Sequence, residues 1–365
     1  MLNEESYEFL RSNEIVFIGH PDKIADQISD NILNAYLMQD INSRVAVETC
    51  CGKFKIFITG EITSKAKVDK VKIVKDLLRY FKYDETRWEV IDNTCEQSTD
   101  IAKGVNEDEN KEMGAGDQGI CYGYAFAETK ELLPIAQVIL QKFSKEYTKL
   151  FEMDDRFLPD GKCQITGYYD KSYRLLKIKT FLCSYQNTEK EREKTDKILK
   201  DIIDNICKEY AIEIEEYLFN PTGRFEIGGI IGDSGLTGRK LLIDNYHTFG
   251  QVGGGAFSSK DMTKVDRSGA YIARELAVKY LEMHNARNCE VEIGYSIGLA
   301  KPLSIRIRYY DLKDKCNKFQ KPTSEDYEIC KVGNIVKRYN NIIKNNPNWI
   351  LEICKYGHFT KREIV

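Results

Sequence analysis

Lys260 and Lys264 stand four residues apart, just after the triple glycine Gly253-Gly254-Gly255, and Asp266 follows them. Glycine lets backbone N–H groups come close to an oxyanion, and lysines add full positive charge. A helix opening behind this loop, capped by Asp266 or Ser268 and running on as GAYIARELAVKYLEMH, would add the partial charge of its N-terminus. The chemistry is anion binding, with Ala256 inside the loop. A glycine-rich turn before an ordinary helix, with solvated lysines, would be written in the same letters. A Walker A loop would not. It needs Gly before the lysine and Ser or Thr after it, and those positions hold Ser259 and Asp261.

Similar constellations recur along the chain. The apolar run Ile15-Val16-Phe17-Ile18 leads into Gly19-His20-Pro21-Asp22-Lys23. A helical period follows, with Ile24, Ile28, Ile32, Leu33, Tyr36 and Leu37 on one face and Asp26, Asp30 and Asn34 off it. His20 and Asp22 then sit at the mouth of a helix, where they suit a phosphate and a divalent cation, although Pro21 and Asp22 also simply start helices. Glu48 and Glu61 fall in two apolar strands, 45–51 and 54–62, joined by a turn at Gly52-Lys53. Inside, each needs a cation or an ammonium group; facing outward, neither does. Asp117 stands among Gly114, Gly116 and Gly119, which reads as backbone brought close to a ligand or as a tight turn. Asp160-Gly161-Lys162 reads as a turn entering a strand, and Arg224-Phe225, Asp233 and Arg239-Lys240 lie in the glycine-dense stretch 220–240. Together these loops gather lysines and arginines, which clamp phosphate oxygens, with carboxylates, which hold magnesium. No nucleophile–base pair stands out. Positioning and electrostatics remain as the catalytic means, which suits displacement at a nucleotide.

These residues must be carried by a framework. Helices are expected at 65–81, Leu132–Phe151, 187–210 and near 332–344; strands at Cys163–Tyr169, Tyr173–Leu182, Glu290–Ile297 and Ser304–Tyr310. Residues 93–113 are polar and aperiodic, the pattern of a mobile lid or of a surface connection. Strand pairs thus alternate with helices three times over, an α+β pattern. The 365 residues, 42% hydrophobic, are ample for a core and for two or three domains. A net charge of −3 supplies no basic field for nucleic acid, no apolar run reaches membrane-spanning length, and the polar N-terminus is unlike a signal peptide. Eleven cysteines, scattered and without a C-x-x-C pair, argue for reduced thiols in a cytoplasm rather than a disulfide framework or a zinc site.

In order along the chain, GHPDKIADQISD, GEITS, QSTDIAKGV, GAGDQG, NPTGRF, GDSGLTGRK, GGGAFSSKDMTKVDRS and YGHF closely resemble the S-adenosylmethionine synthetases (methionine adenosyltransferases). The resemblance implies three similar α+β domains about a pseudo-threefold axis, here 1–100, 112–230 and 231–365. It implies adenosyl transfer: the sulfur of L-methionine attacks the ribose C5′ of ATP, and the displaced tripolyphosphate is hydrolysed to phosphate and pyrophosphate. It also implies two Mg²⁺, activation by K⁺, and a dimer or pair of dimers with sites between subunits. Carried over by position, His20, Lys162, Arg239 and Lys260 would be catalytic. Glu61, Gln97, Asp117, Asp160, Arg224, Phe225, Asp233, Lys240, Ala256, Lys264 and Asp266 would bind substrate, and Asp22, Glu48 and Glu14 would serve metals. Several positions depart from the family pattern: Ile18 for Glu, Thr99 for Pro, Glu226 for an apolar residue, His247-Thr248 for Gly-Gly, Val252 for His and Ser259 for Gly. Ser259 is expected to crowd the phosphates. A second reading rests on these departures: a diverged paralogue that binds nucleotide without turnover or partners a true synthetase.

Overall fold

The computed structural model describes residues 7–96, 112–188 and 191–359. Strands β2 (Arg44–Gly52) and β3 (Lys55–Thr63) form an antiparallel hairpin whose period-two pattern turns Val45, Val47, Thr49, Cys51, Ile56 and Ile58 inward. Helices α1 (Pro21–Gln39) and α2 (Lys70–Tyr80) cover that face, with α2 opened by Asp69 accepting a bond from the Lys72 N–H. Strand β4 (Glu89–Cys95) then runs parallel to β3. It takes up residues 93–95 of the stretch expected to be a loop, and its largely exposed side chains explain why no apolar alternation marks it.

The central sheet is built on the long hairpin of β6 (Phe157–Tyr169) and β7 (Leu175–Asn187), covered by α3 (Ile135–Met153) and α4 (Arg192–Lys208), with β8 (Ile214–Phe219) parallel to β7. Asp160-Gly161-Lys162 is therefore not a turn before the strand. It lies inside β6, where the register slips between Phe157 and Gly161, a bulge that bends the strand without ending its pairing. The C-terminal sheet pairs β10 (Asn288–Tyr295), β11 (Ser304–Asp311) and β12 (Cys316–Gln320) beneath α7 (Val265–Met283). Short helices α5 (Gly229–Gly232) and α6 (Leu241–Asp244) precede it, and α8 (Ser324–Ile329), α9 (Val332–Asn345) and α10 (Trp349–Tyr356) follow. Helix α7 begins at Val265 with Lys264 as its N-cap, so Asp266 and Ser268 lie within its first turn rather than capping it.

Each of the three sheets has four strands, and one strand of each comes from another third of the chain. Strand β1 (Phe9–Val16) pairs with β6 in the central sheet. Strand β5 (Gly119–Phe126) pairs with β10 in the C-terminal sheet. The two-residue β9 (Gly235–Leu236) pairs with β2 in the N-terminal sheet. The exchange is cyclic, each third handing its first strand onward. One hydrophobic core joins the N- and C-terminal sheets around α1 and α7, and a second fills the central unit around Phe143, Tyr147, Phe181 and Leu199.

Candidate active site

Helix α1 organises the site. Its period places an acid every fourth residue, at 22, 26 and 30, so the three carboxylates share one stripe. That stripe is not solvated: Asp22, Asp26 and Asp30 are all buried. Two glycine-rich segments are captured by their backbones, 235–238 by Asp22 and Asp26 and the glycine–lysine loop by Asp30. Asp22 Oδ1 accepts from the Leu236 N–H at 2.9 Å, Asp26 Oδ1 from the Gly238 N–H at 2.8 Å and Asp30 Oδ1 from the Ser259 N–H at 2.8 Å. Charged partners complete the burial. Lys23 reaches Asp26 at 3.4 Å and also pairs with Asp244, while Arg267 forks onto Asp30 at 2.8 and 3.0 Å. Burial pushes the Asp26 carboxyl up to about 7 against the pull of Lys23.

At the mouth of α1, His20 is the N-cap, its Nδ1 accepting from the Asp22 N–H at 3.2 Å. Burial and the nearby Lys240 lower its pKa to about 4, so the ring is neutral at neutral pH. Asp22 answers the opposite balance. Burial would raise its pKa, but bonds from Lys240, the Leu236 N–H and Arg239 outweigh that and hold it below the ordinary carboxylate value. Arg239 Nε lies 2.7 Å from Asp22 Oδ1, and Lys240 holds Oδ2. A cavity of about 260 Å³ opens here, lined by Glu14, His20, Lys162, Arg239 and Lys240 with Leu242 and Ile243. Three expected catalytic residues and the expected phosphate lysine thus converge. Asp160, two residues from Lys162, is buried and accepts from the Gly229 N–H at 2.6 Å; burial raises its carboxyl to about 6.

The glycine–lysine loop forms a second cluster, and none of its residues lines that cavity. Lys260 Nζ binds Asp266 Oδ2 at 2.7 Å, and Lys264 pairs with Asp261 at 2.5 Å. A Cβ at Gly255 would lie 2.2 Å from the Asp266 carboxyl carbon, so a side chain there would push that carboxylate away from Lys260. The segment carrying Asp117 approaches the same place, since Gly119 comes within 3.4 Å of Asp266 Oδ1 by the same measure. Ala256 packs against Gly238, joining the loop to the segment bearing Arg239. Lys260 also bridges to Ala46, whose neighbour across the sheet is Glu61. On that shared outer face, away from α1, Glu48 is exposed and Glu61 half-buried, so the outward-facing alternative holds for both strands. Asp117 and Asp233 are exposed, each bonding to the N–H of the next residue. Phe225 is half-buried, and Arg224 is paired with Glu226 at 2.6 Å. Gln97 lies outside the described residues, as does Thr99.

Ser259 does not reach toward solvent. It is 1% exposed, its backbone faces Asp30, and its hydroxyl is buried without a hydrogen-bond partner among the described residues. Its φ of 84° is the left-handed region that favours glycine, and His247 is likewise at φ 52°. Both are positions where the resemblance puts glycine, so the backbone keeps a glycine shape under other side chains. Ile18 is buried in the shared core and Val252 is half-buried. Sequence reasoning passed over Asp26, Asp30, Asp244 and Arg267, the residues that hold the segments in place. The four-residue spacing of acids along α1 was the signal that could have found Asp26 and Asp30; nothing local marks Asp244 or Arg267. His358 of YGHF is also structural: it is buried and pairs with the Tyr271 hydroxyl at 2.8 Å, which in turn accepts from Arg267 at 2.9 Å.

Three family models match in succession: the N-terminal domain of S-adenosylmethionine synthetase over residues 8–105, the central domain over 112–225 and the C-terminal domain over 227–365. The chain belongs to the S-adenosylmethionine synthetase family. The S-adenosylmethionine synthase of Prochlorococcus marinus strain MIT 9301 is 38% identical over 393 aligned positions, covering 98% of this chain and 94% of that protein. That of strain AS9601 is also 38% identical, with the same coverage. Membership of the S-adenosylmethionine synthetase family makes the chain a transferase of three-domain α+β fold. The same membership does not favour the reading of a diverged, non-catalytic paralogue.

Proposed function

We propose that the chain forms S-adenosylmethionine from ATP and L-methionine and then hydrolyses the displaced tripolyphosphate. The observation that carries this reading is the convergence of His20, Lys162, Arg239 and Lys240 on one cavity at the N-terminus of α1. A leaving tripolyphosphate needs several fixed cations, and these stand ready around it. Neutral His20 has its Nδ1 engaged by the Asp22 N–H, which leaves Nε2–H to donate toward the bridging oxygen at C5′. Lys260 and Lys264, with Asp117, Asp233 and Glu61, serve methionine and the remaining phosphate charge. Asp160, Arg224, Phe225 and Ala256 serve the nucleotide.

Magnesium suits the donor set. Asp22 supplies one carboxylate, and Mg²⁺ ordinarily takes its other oxygens from phosphates and water. In the free protein Arg239 and Lys240 hold that carboxylate, and an arriving triphosphate would draw them away. Bound there, magnesium would neutralise phosphate charge; Glu14 stands at the cavity wall to assist. Glu48 is our candidate for the potassium site. A row of exposed side chains, Leu236, Cys50, Phe57 and Ile91, runs across all four strands of the N-terminal sheet on the same face as Glu48 and Glu61. We infer that a second copy covers this face and that the site is completed between subunits. All eleven cysteines are free thiols, which fits a cytoplasmic setting, and no helix among the described residues is long and apolar enough to cross a membrane.

The test is purified protein with ATP, methionine, Mg²⁺ and K⁺, assayed for S-adenosylmethionine, phosphate and pyrophosphate. Methionine-dependent formation of all three is expected. ATP binding without any product would sink the reading. Light scattering over a dilution series tests the shared site, and a fully active monomer would contradict it.

A further inference from the structure

A second cavity, of about 250 Å³, lies between the edge of the central sheet and the face of the C-terminal sheet turned away from α7. Four cations line it, Arg11, Lys171, Arg287 and Arg308, and no carboxylate does. They come from separate places: β1, the β6–β7 turn, the residue before β10, and β11. Arg11 forms no ion pair with a carboxylate among the described residues. Its guanidinium donates through Nε to the Thr248 hydroxyl at 2.8 Å and through Nη2 to the Thr248 carbonyl, and it lies 4.0 Å over the Phe249 ring and 5.4 Å from that of Tyr173. Burial lowers its pKa from the ordinary arginine value, the mark of a cation short of negative charge. Arg287 is largely buried, and its Nη2 has no hydrogen bond among the described residues, with Glu128 at 3.7 Å. Arg308 leans on Glu290 at 3.0 Å and Lys171 on Glu8 at 3.0 Å, both from outside the lining. Aromatic rings and the hydroxyl residues Ser172 and Thr248 make up the remaining walls, to which Asn288 and Asn317 bring two amides.

We propose that this cavity is a second binding site, separate from the candidate active site, for a small phosphorylated ligand with a flat ring, of the nucleoside monophosphate class. Converging arginines supply the forked donors that phosphate oxygens take, and the exposed Tyr173 ring offers a face for a base, that of Phe249 being covered by Arg11. The amides of Asn288 and Asn317 can pair with a base edge. Glu8, Glu128 and Glu290 answer Lys171, Arg287 and Arg308 from outside the lining, so an incoming anion would be taken first by Arg11 and the unbonded Nη2 of Arg287.

The probe is AMP, titrated calorimetrically into the full chain without Mg²⁺ or methionine, with inorganic phosphate in a parallel arm. The wild-type chain is expected to take up AMP in this cavity in addition to any AMP held at the candidate active site. The double variant Arg11→Gln, Arg308→Gln should lose that uptake or weaken it at least tenfold, with adenosyl transfer at saturating substrate unchanged. Should that variant not fold, Asn317→Asp places a carboxylate at an exposed position on the rim and should weaken AMP in the same way. Unchanged AMP stoichiometry and affinity in a folded variant would overturn the proposal. So would inorganic phosphate binding as tightly as AMP, since the rings and amides would then read nothing. A variant whose oligomeric state changes while AMP binding does not would also overturn it, the cations then serving a second copy. Because binding is read rather than turnover, this result stands apart from the success or failure of the synthetase reading.

Discussion

His20 shows how a single side chain is tuned by where it sits. Its pKa falls to about 4 in the folded chain, chiefly through burial and then Lys240, against about 6.5 when unfolded. Between those values the unfolded chain takes up a proton that the folded chain refuses, so stability from this group is full above about pH 6.5 and declines as pH drops toward 4. An NMR titration of the free protein should place the His20 midpoint near pH 4; a midpoint at or above 6.5 would refute the neutral ring. Asp22 yields a second expectation. Since Arg239 and Lys240 occupy its carboxylate, magnesium should bind feebly to the free protein and at least tenfold more tightly once tripolyphosphate is present. Calorimetry with and without the polyphosphate decides this, and equal affinities would argue against Asp22 as a ligand freed by phosphate. Ser259→Gly should stabilise the fold by about 1 kcal/mol, because a left-handed backbone costs a non-glycine residue about that much. A urea midpoint that falls instead would mean the buried hydroxyl holds a favourable contact. His20, Asp22 and Lys260 were legible as candidates from residue type and spacing, because chemistry needs those types. The burial of Ser259 was not, since nothing local to the sequence says which way a loop residue faces.

Helix α1 is the element on which the site depends. Its apolar face was plain in the sequence, whereas its acidic stripe read as the solvated side. Amphipathic periodicity reports only one core-facing surface, and here a second surface is buried against loops that arrive from more than two hundred residues away. The pair Asp30–Arg267 has both side chains at 0% exposure and pins the glycine–lysine loop through the Ser259 N–H. Asp30→Asn keeps the shape but leaves Arg267 charged and unpaired, and should cost roughly 3–5 kcal/mol. Chemical denaturation measures this; a loss under 1 kcal/mol would show that the pair is dispensable. Strand β4 and the bulged start of β6 were not legible for a related reason. One is an exposed edge without alternation and the other a strand interrupted by Asp-Gly, and in each the pairing partner rather than local preference decides the outcome.

At the scale of the whole molecule, three α+β units were foreseeable from alternating strand pairs and helices. The cyclic exchange of β1, β5 and β9 was not, because a strand's own letters do not name its neighbour. An isolated piece spanning 112–225 lacks β1 and leaves β6 as a bare edge over Ile165 and Phe181. It should be poorly folded by circular dichroism and amide NMR, and should be rescued when residues 7–18 are joined to it; a well-folded isolated piece would show that the borrowed strand is ornamental. The same exchange sets a timetable for synthesis. Translation delivers the parts of the central sheet by residue 219, those of the N-terminal sheet only with β9 at 235–236, and those of the C-terminal sheet last, with β12 at 316–320. The first part of the chain to leave the ribosome must therefore wait, unfinished at one edge, for a pair of residues made well over a hundred positions later. A nascent chain halted just short of Gly235 would hold a completed middle and an open beginning.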